Sequence, residues 1–564
     1  MSHTKTQQEL TARIKELENE VTQLKSRKKF GLVWEDKPED VVLECTENIP
    51  VLKEVKNRKI VSGNTLENNL LIEGDNYHTL SVLNYTHKGK VDVIYIDPPY
   101  NTGSNDWIYN NDYVDSEDQF RHSKWLSFIS KRLKLAKSLL KEEGFIAVAI
   151  DHYELFTLGS LCDEIFGENN RAGIVTVVHK PEGRQHSKFF SASNEFMLVY
   201  CKNSSKSNFN QIVLSDEKKK EFTEIDNIGN FKWKNFIRGD VTYKQKPKGF
   251  YPIYVSPDLK DITINKKLNY LEILPITKTE KRAWVVLKDS FIDKLNNGEI
   301  RAVKNNIGDV LIEYKIREQQ VFVTHWVDQS YNATANGTNL LKNILGENIF
   351  NFPKSINTVS DFIKITSKEK STVLDFFAGS GTTGHAVLEL NKQDGGNRKF
   401  ILCTNNENKI CEEVTYERIK RVIKGYTNKK GEKVEGLGGN LSYYKTDLVN
   451  IEKLHKVSDE ARIKVTYQAG EMIAVREDTL NEVEKNEWWQ IFEGNEKVTA
   501  IYFKENKEKL QELINLLEKK KVSTTLYIFG WGKNEYRNEY STKNIKIEDI
   551  PEPILEVYKE INRL

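Results

Sequence analysis

VDVIYIDPPY, residues 91–100, is an apolar run that stops at an acid, two prolines and a tyrosine. Prolines cannot continue a hydrogen-bonded ladder, so Pro98 and Pro99 end the strand and stiffen the turn. Asp97 is thereby fixed at the carboxyl edge of a sheet, with Tyr100 beside it. Working outward, LLIEGD (70–75) and GFIAVAID (144–151) are further apolar runs that end in an acid. Between the last two lies SKWLSFISKRLKLAKSLLKEEG (123–144), which reads as an amphipathic helix. Strands alternating with helices predict βαβ units and a parallel sheet. Ligands of open α/β sheets bind beyond the carboxyl ends of the strands, where these acids sit.

A second strand–turn–helix segment is STVLDFFAGSGTTGHAVLEL (371–390), followed by KFILCT (399–404). Gly379 and Gly381 permit tight turning and close backbone approach to a ligand. Thr382 or Thr383 is placed to cap the helix, whose N-terminus favours a carboxylate. The spacing is G-x-G without a third glycine, and no lysine follows as in a P-loop. S-adenosyl-L-methionine, with a carboxylate and no phosphate, fits such a turn better than a dinucleotide does. The Asp-Pro-Pro-Tyr turn suits an exocyclic amine. The N6 lone pair of adenine is delocalised into the ring, so the amine is a weak nucleophile. Asp97 and the Pro98 carbonyl can accept both N–H hydrogens and favour a pyramidal nitrogen. Tyr100 offers a face for a flipped base, a contact worth ~1–3 kcal/mol.

The chain has 564 residues, enough for three or four domains at ~100–200 residues each. Lys and Arg total 84 against 82 for Asp and Glu, a net charge of +2, so a nucleic-acid reading must rest on local patches. Five scattered cysteines give neither a zinc site nor a disulfide framework. The polar start MSHTKTQQEL carries no signal segment, and no run of ~18 apolar residues exists, so a cytoplasmic protein without membrane contact is expected. The expected organisation is a helix or coiled coil over 1–28, a catalytic half over 29–205 and an inserted, mostly β domain over 206–345. A cofactor half over 346–449 and a small α/β domain over 450–564 follow. Leu10, Ile14, Leu17, Val21 and Leu24 form a heptad seam, read either as a short coiled coil or as one helix packed on its own domain. Within 231–250, Arg238, Lys244, Lys246 and Lys248 interleave with Trp233, Phe236, Tyr243 and Phe250, a texture suited to phosphate contacts and base stacking.

At these residues the chain resembles the β class of DNA amino-methyltransferases. More narrowly, it is similar to the modification subunit of type III restriction-modification systems. LIEGDNYHTLSVLNY, VDVIYIDPPYNTG, HSKWLSFISKRLKLAKSLL, DEIFGENN, GFYPIYV, FNFPKS and GLGGNLSYYKTD carry the resemblance over about residues 30–450. It implies a Rossmann-like α/β core in permuted order, with the target-recognition domain inserted between the motifs. It also implies adenine-N6 methylation of double-stranded DNA, with S-adenosyl-L-methionine as cofactor. Asp97, Pro98, Pro99 and Tyr100 would be the catalytic tetrapeptide. The cofactor would be held by Asp375, Phe377, Ala378, Gly379, Ser380, Gly381 and Thr382, by Phe352, Pro353, Lys354 and Ser355, and by Asp75. Where many relatives hold the ribose with an acid, this chain reads TNNE, leaving Asn405 or Glu407 for that role. Asn194 stands where relatives often carry His before the Glu. The resemblance further implies self-pairing and a separate ATP-dependent restriction subunit. Cytosine-N4 methylation is the alternative chemistry, although relatives acting on cytosine tend to carry Ser in place of Asp97. A non-catalytic DNA-binding subunit is the alternative class. Asp309, Glu313 and Lys315 form a weak nuclease-like set that chance explains equally well in so charged a chain.

Overall fold

The computed structural model describes residues 36–563 except 63–67, 111, 116, 184–188, 211–219, 278–279, 318–322, 348, 532–535, 537–539 and 541. The heptad seam at Leu10–Leu24 lies outside the described residues. The chain divides into two compact units, one of residues 1–210 with 323–564 and one of residues 211–322.

The first unit is built on a ten-stranded sheet. Its strands are β1 (Asn48–Glu54), β2 (Asn68–Glu73), β3 (Val91–Ile96), β4 (Leu140–Ile150), β5 (Arg171–Val178) and β6 (Asn194–Cys201). They are joined by β7 (His325–Trp326), β8 (Thr372–Asp375), β9 (Lys399–Thr404) and β10 (Asn440–Asn450). The spatial order is β1-β10-β2-β9-β8-β3-β4-β6-β5-β7. From β10 to β4 every neighbouring pair is parallel. The all-parallel expectation gives way at the margins: β6 runs antiparallel to β4 and β5, and β1 antiparallel to β10. The central strands are the near-continuous apolar runs that burial on both faces requires.

Helices α1 (Asn76–Thr86), α2 (Arg121–Leu139) and α3 (Leu155–Phe166) connect the strands of the first half. Helices α4 (Ile356–Thr366), α5 (Thr382–Asp394) and α6 (Tyr416–Lys424) belong to the second. The sequence reads α2 on to residue 144, but Leu140 pairs with Val91 and so begins β4. The two halves meet where β8 pairs with β3, Val373 opposite Val93 and Leu374 opposite Ile94. From β8 the chain crosses through α5 to β9, whereas from β3 it crosses through α2 to β4 on the other side. That divergence is a topological switch point, the place where such sheets bind ligands.

Residues 323–345, expected with the insertion, pack in the first unit: β7 joins β5, and Trp326, Leu341, Ile344 and Leu345 are buried. Residues 211–322 by themselves are mostly β, with a four-stranded antiparallel sheet and a core around Phe236, Trp284, Tyr251 and Phe291.

The stretch 450–564 carries its own five-stranded sheet, in the order 481–485, 489–494, 497–502, 523–529 and 545–550. Its side chains alternate between two destinations. Ile491, Ala500, Leu526 and Ile528 pack under the helix Lys507–Lys519. Phe492, Ile501, Tyr527 and Phe529 join the main core instead. The last helix, Glu552–Ile561, adds Ile554, Leu555 and Tyr558 to that core, and the Tyr558 hydroxyl donates to the Pro50 carbonyl at 2.5 Å. This stretch therefore shares its core with the ten-stranded sheet. Leu555→Ala should cost about 2–5 kcal/mol and shift a single cooperative unfolding transition. An early transition that leaves the rest folded, read by denaturant titration, would contradict the shared core.

Candidate active site

Asp97 follows β3 directly, and the three residues after it form the turn. Pro98 is buried, and the Pro99 carbonyl accepts from the Trp125 indole N–H at 2.8 Å. Among the described residues no hydrogen bond reaches the Pro98 carbonyl, so it remains an available acceptor next to Asp97. Asn101 then turns the chain with φ 58° in the left-handed region, strained for a residue other than glycine. The strain is held by burial and by two side chains. Asn101 donates to Glu154 at 2.5 Å and accepts from the Trp107 indole at 3.0 Å. Glu154 is itself fully buried and is shared with His122 at 2.5 Å and with the Thr157 hydroxyl.

Two charged groups and one phenol converge on Asp97. The Lys354 ammonium lies 3.2 Å from Asp97 Oδ1 and 2.5 Å from Glu195 Oε2, and it donates to the Tyr100 hydroxyl. Tyr100 in turn donates to Glu195 at 3.0 Å, and the ammonium sits 4.6 Å from the centre of its ring. Burial raises the Asp97 carboxyl and Glu195 adds to the rise, while Lys354 opposes it. Burial also works to raise Glu195, but Lys354 outweighs it and holds that carboxyl below the ordinary range. The resemblance assigns Lys354 to the cofactor pocket; the structure brings its side chain to the Asp97 turn.

One strand away, Asp375 ends β8 and folds the glycine turn around its carboxyl. It accepts from the Phe377 N–H at 3.0 Å and from the Thr383 hydroxyl at 2.5 Å. Burial is the main cause that pushes Asp375 up to about 7, against those two hydrogen bonds and with help from Asp97. Gly379 and Gly381 take φ of 49° and 75°. A Cβ on Gly379 would come 3.4 Å from the Phe350 ring. The helix-capping expectation is corrected here. Gly381 itself is the N-cap of α5, with no side-chain cap, because Thr383 is spent on Asp375 and Thr382 accepts from Arg418 at 2.9 Å. Arg418, fully buried on α6, also donates to the Ser380 carbonyl and hydroxyl. Ala378 donates its N–H to the Cys403 carbonyl of β9, and the Thr415 hydroxyl holds the Gly379 carbonyl.

The remaining predicted residues lie at the same sheet edge or next to it. Asp75 follows β2, caps α1 through the Tyr77 N–H at 2.6 Å and lies 3.5 Å from the buried Arg132. Asn405 and Glu407 follow β9 and are exposed. Phe352 is 86% exposed with φ 59°, Pro353 is buried, and the Ser355 hydroxyl donates to the Ser330 carbonyl at 2.9 Å. Asp75, Asn405, Asp375 and Asp97 thus mark the carboxyl ends of four consecutive strands, β2, β9, β8 and β3.

In the second unit, Lys244 and Lys248 are exposed and Lys246 is half-buried. Arg238 is paired with Asp240 at 2.8 Å. Tyr243 packs on Phe250 at 5.7 Å with Lys281 beside both rings. Phe236 does not face a base: it is wholly buried against Trp284. Glu313 and Lys315 form cross-strand ion pairs with Arg301 and Asp226, and among the described residues no cluster of acids and histidines could hold a metal.

Sequence reasoning missed Glu195, Arg418 and the Asn101–Glu154 pair. Glu195 had a signal, as an acid near the start of an otherwise apolar strand, NEFMLVYC. Arg418, in a Lys/Arg-rich helix, had none.

The sequence matches the family described as DNA methylase over residues 91–417. It is 32% identical over 451 residues to the type III restriction-modification enzyme EcoPI Mod subunit of Escherichia phage P1, covering 71% of this chain and 69% of that protein. It is 32% identical over 382 residues to the type II methyltransferase M.KpnI of Klebsiella pneumoniae, covering 67% of this chain and 90% of that protein. It is 29% identical over 430 residues to the type III restriction-modification enzyme EcoP15I Mod subunit of Escherichia coli, covering 67% and 64%.

The Asp375 carboxyl sets a pH test. Its folded value near 7 exceeds that of an unfolded aspartate, so the fold prefers the neutral acid. Stability is therefore greatest below the unfolded value and falls as pH rises toward 7, by up to about 4 kcal/mol. Asp375→Asn, which keeps a neutral group there, should flatten that fall in thermal unfolding between pH 4.5 and 8. A variant with the wild-type slope would show that Asp375 is already ionised across the range.

Proposed function

The chain belongs to the DNA methylase family, and from that premise we propose that it methylates adenine N6 within a short DNA target, as the modification subunit of a type III restriction-modification system. The observation that carries this reading is the pairing of β3 with β8. It sets the Asp97 turn next to the glycine turn of Asp375 at the switch point of the sheet.

The residues present fit S-adenosyl-L-methionine. Gly379 and Gly381, both at positive φ and the latter packed on Thr415 and Ile419, form the turn at the N-terminus of α5, which no side chain caps, and that end suits a carboxylate. Phe377, Ala378, Ser380 and Thr382 build the turn, and Phe352 with Pro353 stands ahead of it. Asp75 and either Asn405 or Glu407 lie where an adenosine end would be held. When bound, this cofactor supplies an electrophilic methyl group on a sulfonium sulfur. The protein's own work is done on the amine. The Asp97 carboxylate and the Pro98 carbonyl accept its two N–H bonds, so the nitrogen lone pair is localised and aimed. Tyr100 supports the flipped base. Pro98 is buried and Asp97 half-buried, so the acceptors are fixed in place and act more strongly than they would in open water.

Asp97 as the first residue of the tetrapeptide favours adenine over cytosine, and an intact acceptor pair argues against a non-catalytic role. The inserted unit, residues 211–322, reads the target, with Arg238, Lys244, Lys246 and Lys248 on the phosphates. The protein pairs with itself and with an ATP-dependent restriction subunit. It works in the cytoplasm, where its DNA is; no described helix is long and apolar enough to cross a membrane.

Asp97→Ala should lower methyl transfer roughly 10²–10⁴-fold while calorimetry finds cofactor affinity nearly unchanged. Near-normal turnover would overturn the assignment. Replacing Lys244, Lys246 and Lys248 together by Gln should weaken DNA binding and reduce its log–log salt slope by about 0.9 for each phosphate no longer neutralised. An unchanged slope would remove this stretch from the DNA.

A further inference from the structure

We propose that Lys354 is a positioning residue for Asp97, held in place by Glu195, and that its charge keeps the catalytic carboxylate ionised. This rests on the reading that Asp97 accepts the N–H bonds of the substrate amine. A carboxylate can do so only when ionised; the protonated acid would donate in place of accepting.

The geometry is specific. The Lys354 side chain is 13% exposed, and its ammonium has three partners at the catalytic turn: Asp97, Glu195 and the Tyr100 hydroxyl. An ammonium has three donors, so this set satisfies it fully. Glu195 is 7% exposed and receives both Lys354 and Tyr100 on one oxygen, Oε2. The backbone leaves the lysine little freedom. Gly337 packs so closely on this loop that a Cβ there would collide with the Pro353 carbonyl oxygen and fall 3.0 Å from that of Lys354. The next residue is tied down by the Ser355 hydroxyl bond to Ser330.

The charges facing Asp97 explain why a cation is needed. Tyr95 on its own strand, Asp375 on β8 and Glu195 on β6 are neutral or negative, and Tyr100 completes the turn. His179, beyond β5, acts on Glu195. Burial and Glu195 both push Asp97 toward the neutral acid, and Lys354 is the cation that opposes them. An opposite charge this close typically lowers a carboxyl by about 1–3 units.

Activity should therefore fall on the acid side as Asp97 takes up a proton. Lys354→Met should move the acid limb of the kcat–pH profile up by about 1–2 units, with the KM for S-adenosyl-L-methionine within about twofold of wild type, as a residue acting on Asp97 alone requires. Lys354→Arg, which keeps the charge, should leave the limb near its original place. Lys354→Gln should give the same shift as the methionine variant and carries the test if the latter does not fold. An unmoved limb in the neutral variants overturns the proposal. So does a raised cofactor KM at unchanged kcat, which would return Lys354 to the cofactor pocket. Wild-type protein that methylates no DNA amine would instead overturn the underlying reading, so the two failures are distinguishable.

Discussion

Everything at the site depends on two short parallel strands lying side by side, Val93–Ile94 against Val373–Leu374. These residues are some 280 positions apart in the chain, and only sheet pairing brings them together. The pairing sets the ends of β3 and β8 at one edge, and the helices that follow depart in opposite directions. A crevice opens there whatever the side chains are. The glycine turn and the Asp-Pro-Pro-Tyr turn then supply chemistry to a place the topology has already made. Motif order along the chain is free to permute, because the sheet restores the neighbourhood.

Holding the two turns costs buried polar groups, and side chains of the protein meet most of that cost, the Arg418 Nε being left without a partner. Asn101 keeps a strained backbone because Glu154 and Trp107 bind its side chain. The glycine turn is braced from below by Arg418, which reaches Ser380 and Thr382. Asp97, Lys354 and Glu195 form a partly buried triad in which one cation sits between two carboxylates. Removing one member of such a set leaves an uncompensated charge, which is worse than never having built it. The turns are therefore held by the protein's own side chains, and preorganisation is what the proposed amine activation requires.

The central strands were legible because burial on both faces makes them continuous apolar runs: LLIEGD, VDVIYID, GFIAVAID and KFILCT all fall on observed strands. The catalytic and glycine turns were legible because proline and glycine change the backbone itself. Lys354, Glu195 and Arg418 were not, because their roles come from contacts across 159, 95 and 36–38 residues of sequence. Composition could not separate Phe236, a core residue, from Tyr243, an exposed one, although both sit in the same basic stretch. The end of the insertion was misplaced at 345 because Trp326 and Leu341 are apolar in either setting; which core they enter is decided by β7 pairing with β5. The tail showed its strands and helix. Its fusion to the main core depends on which face of each strand is turned toward the catalytic sheet.

The central claim is that the Asp97 turn activates the exocyclic amine of adenine in DNA. The direct measurement is to incubate the purified protein with duplex DNA and methyl-labelled S-adenosyl-L-methionine, digest the DNA to nucleosides and identify the labelled product by mass spectrometry. The account predicts label in N6-methyladenosine of the deoxy series, reduced roughly 10²–10⁴-fold in the Asp97→Ala variant. Label in N4-methylcytosine, or DNA left unlabelled by protein that binds the cofactor, would contradict it.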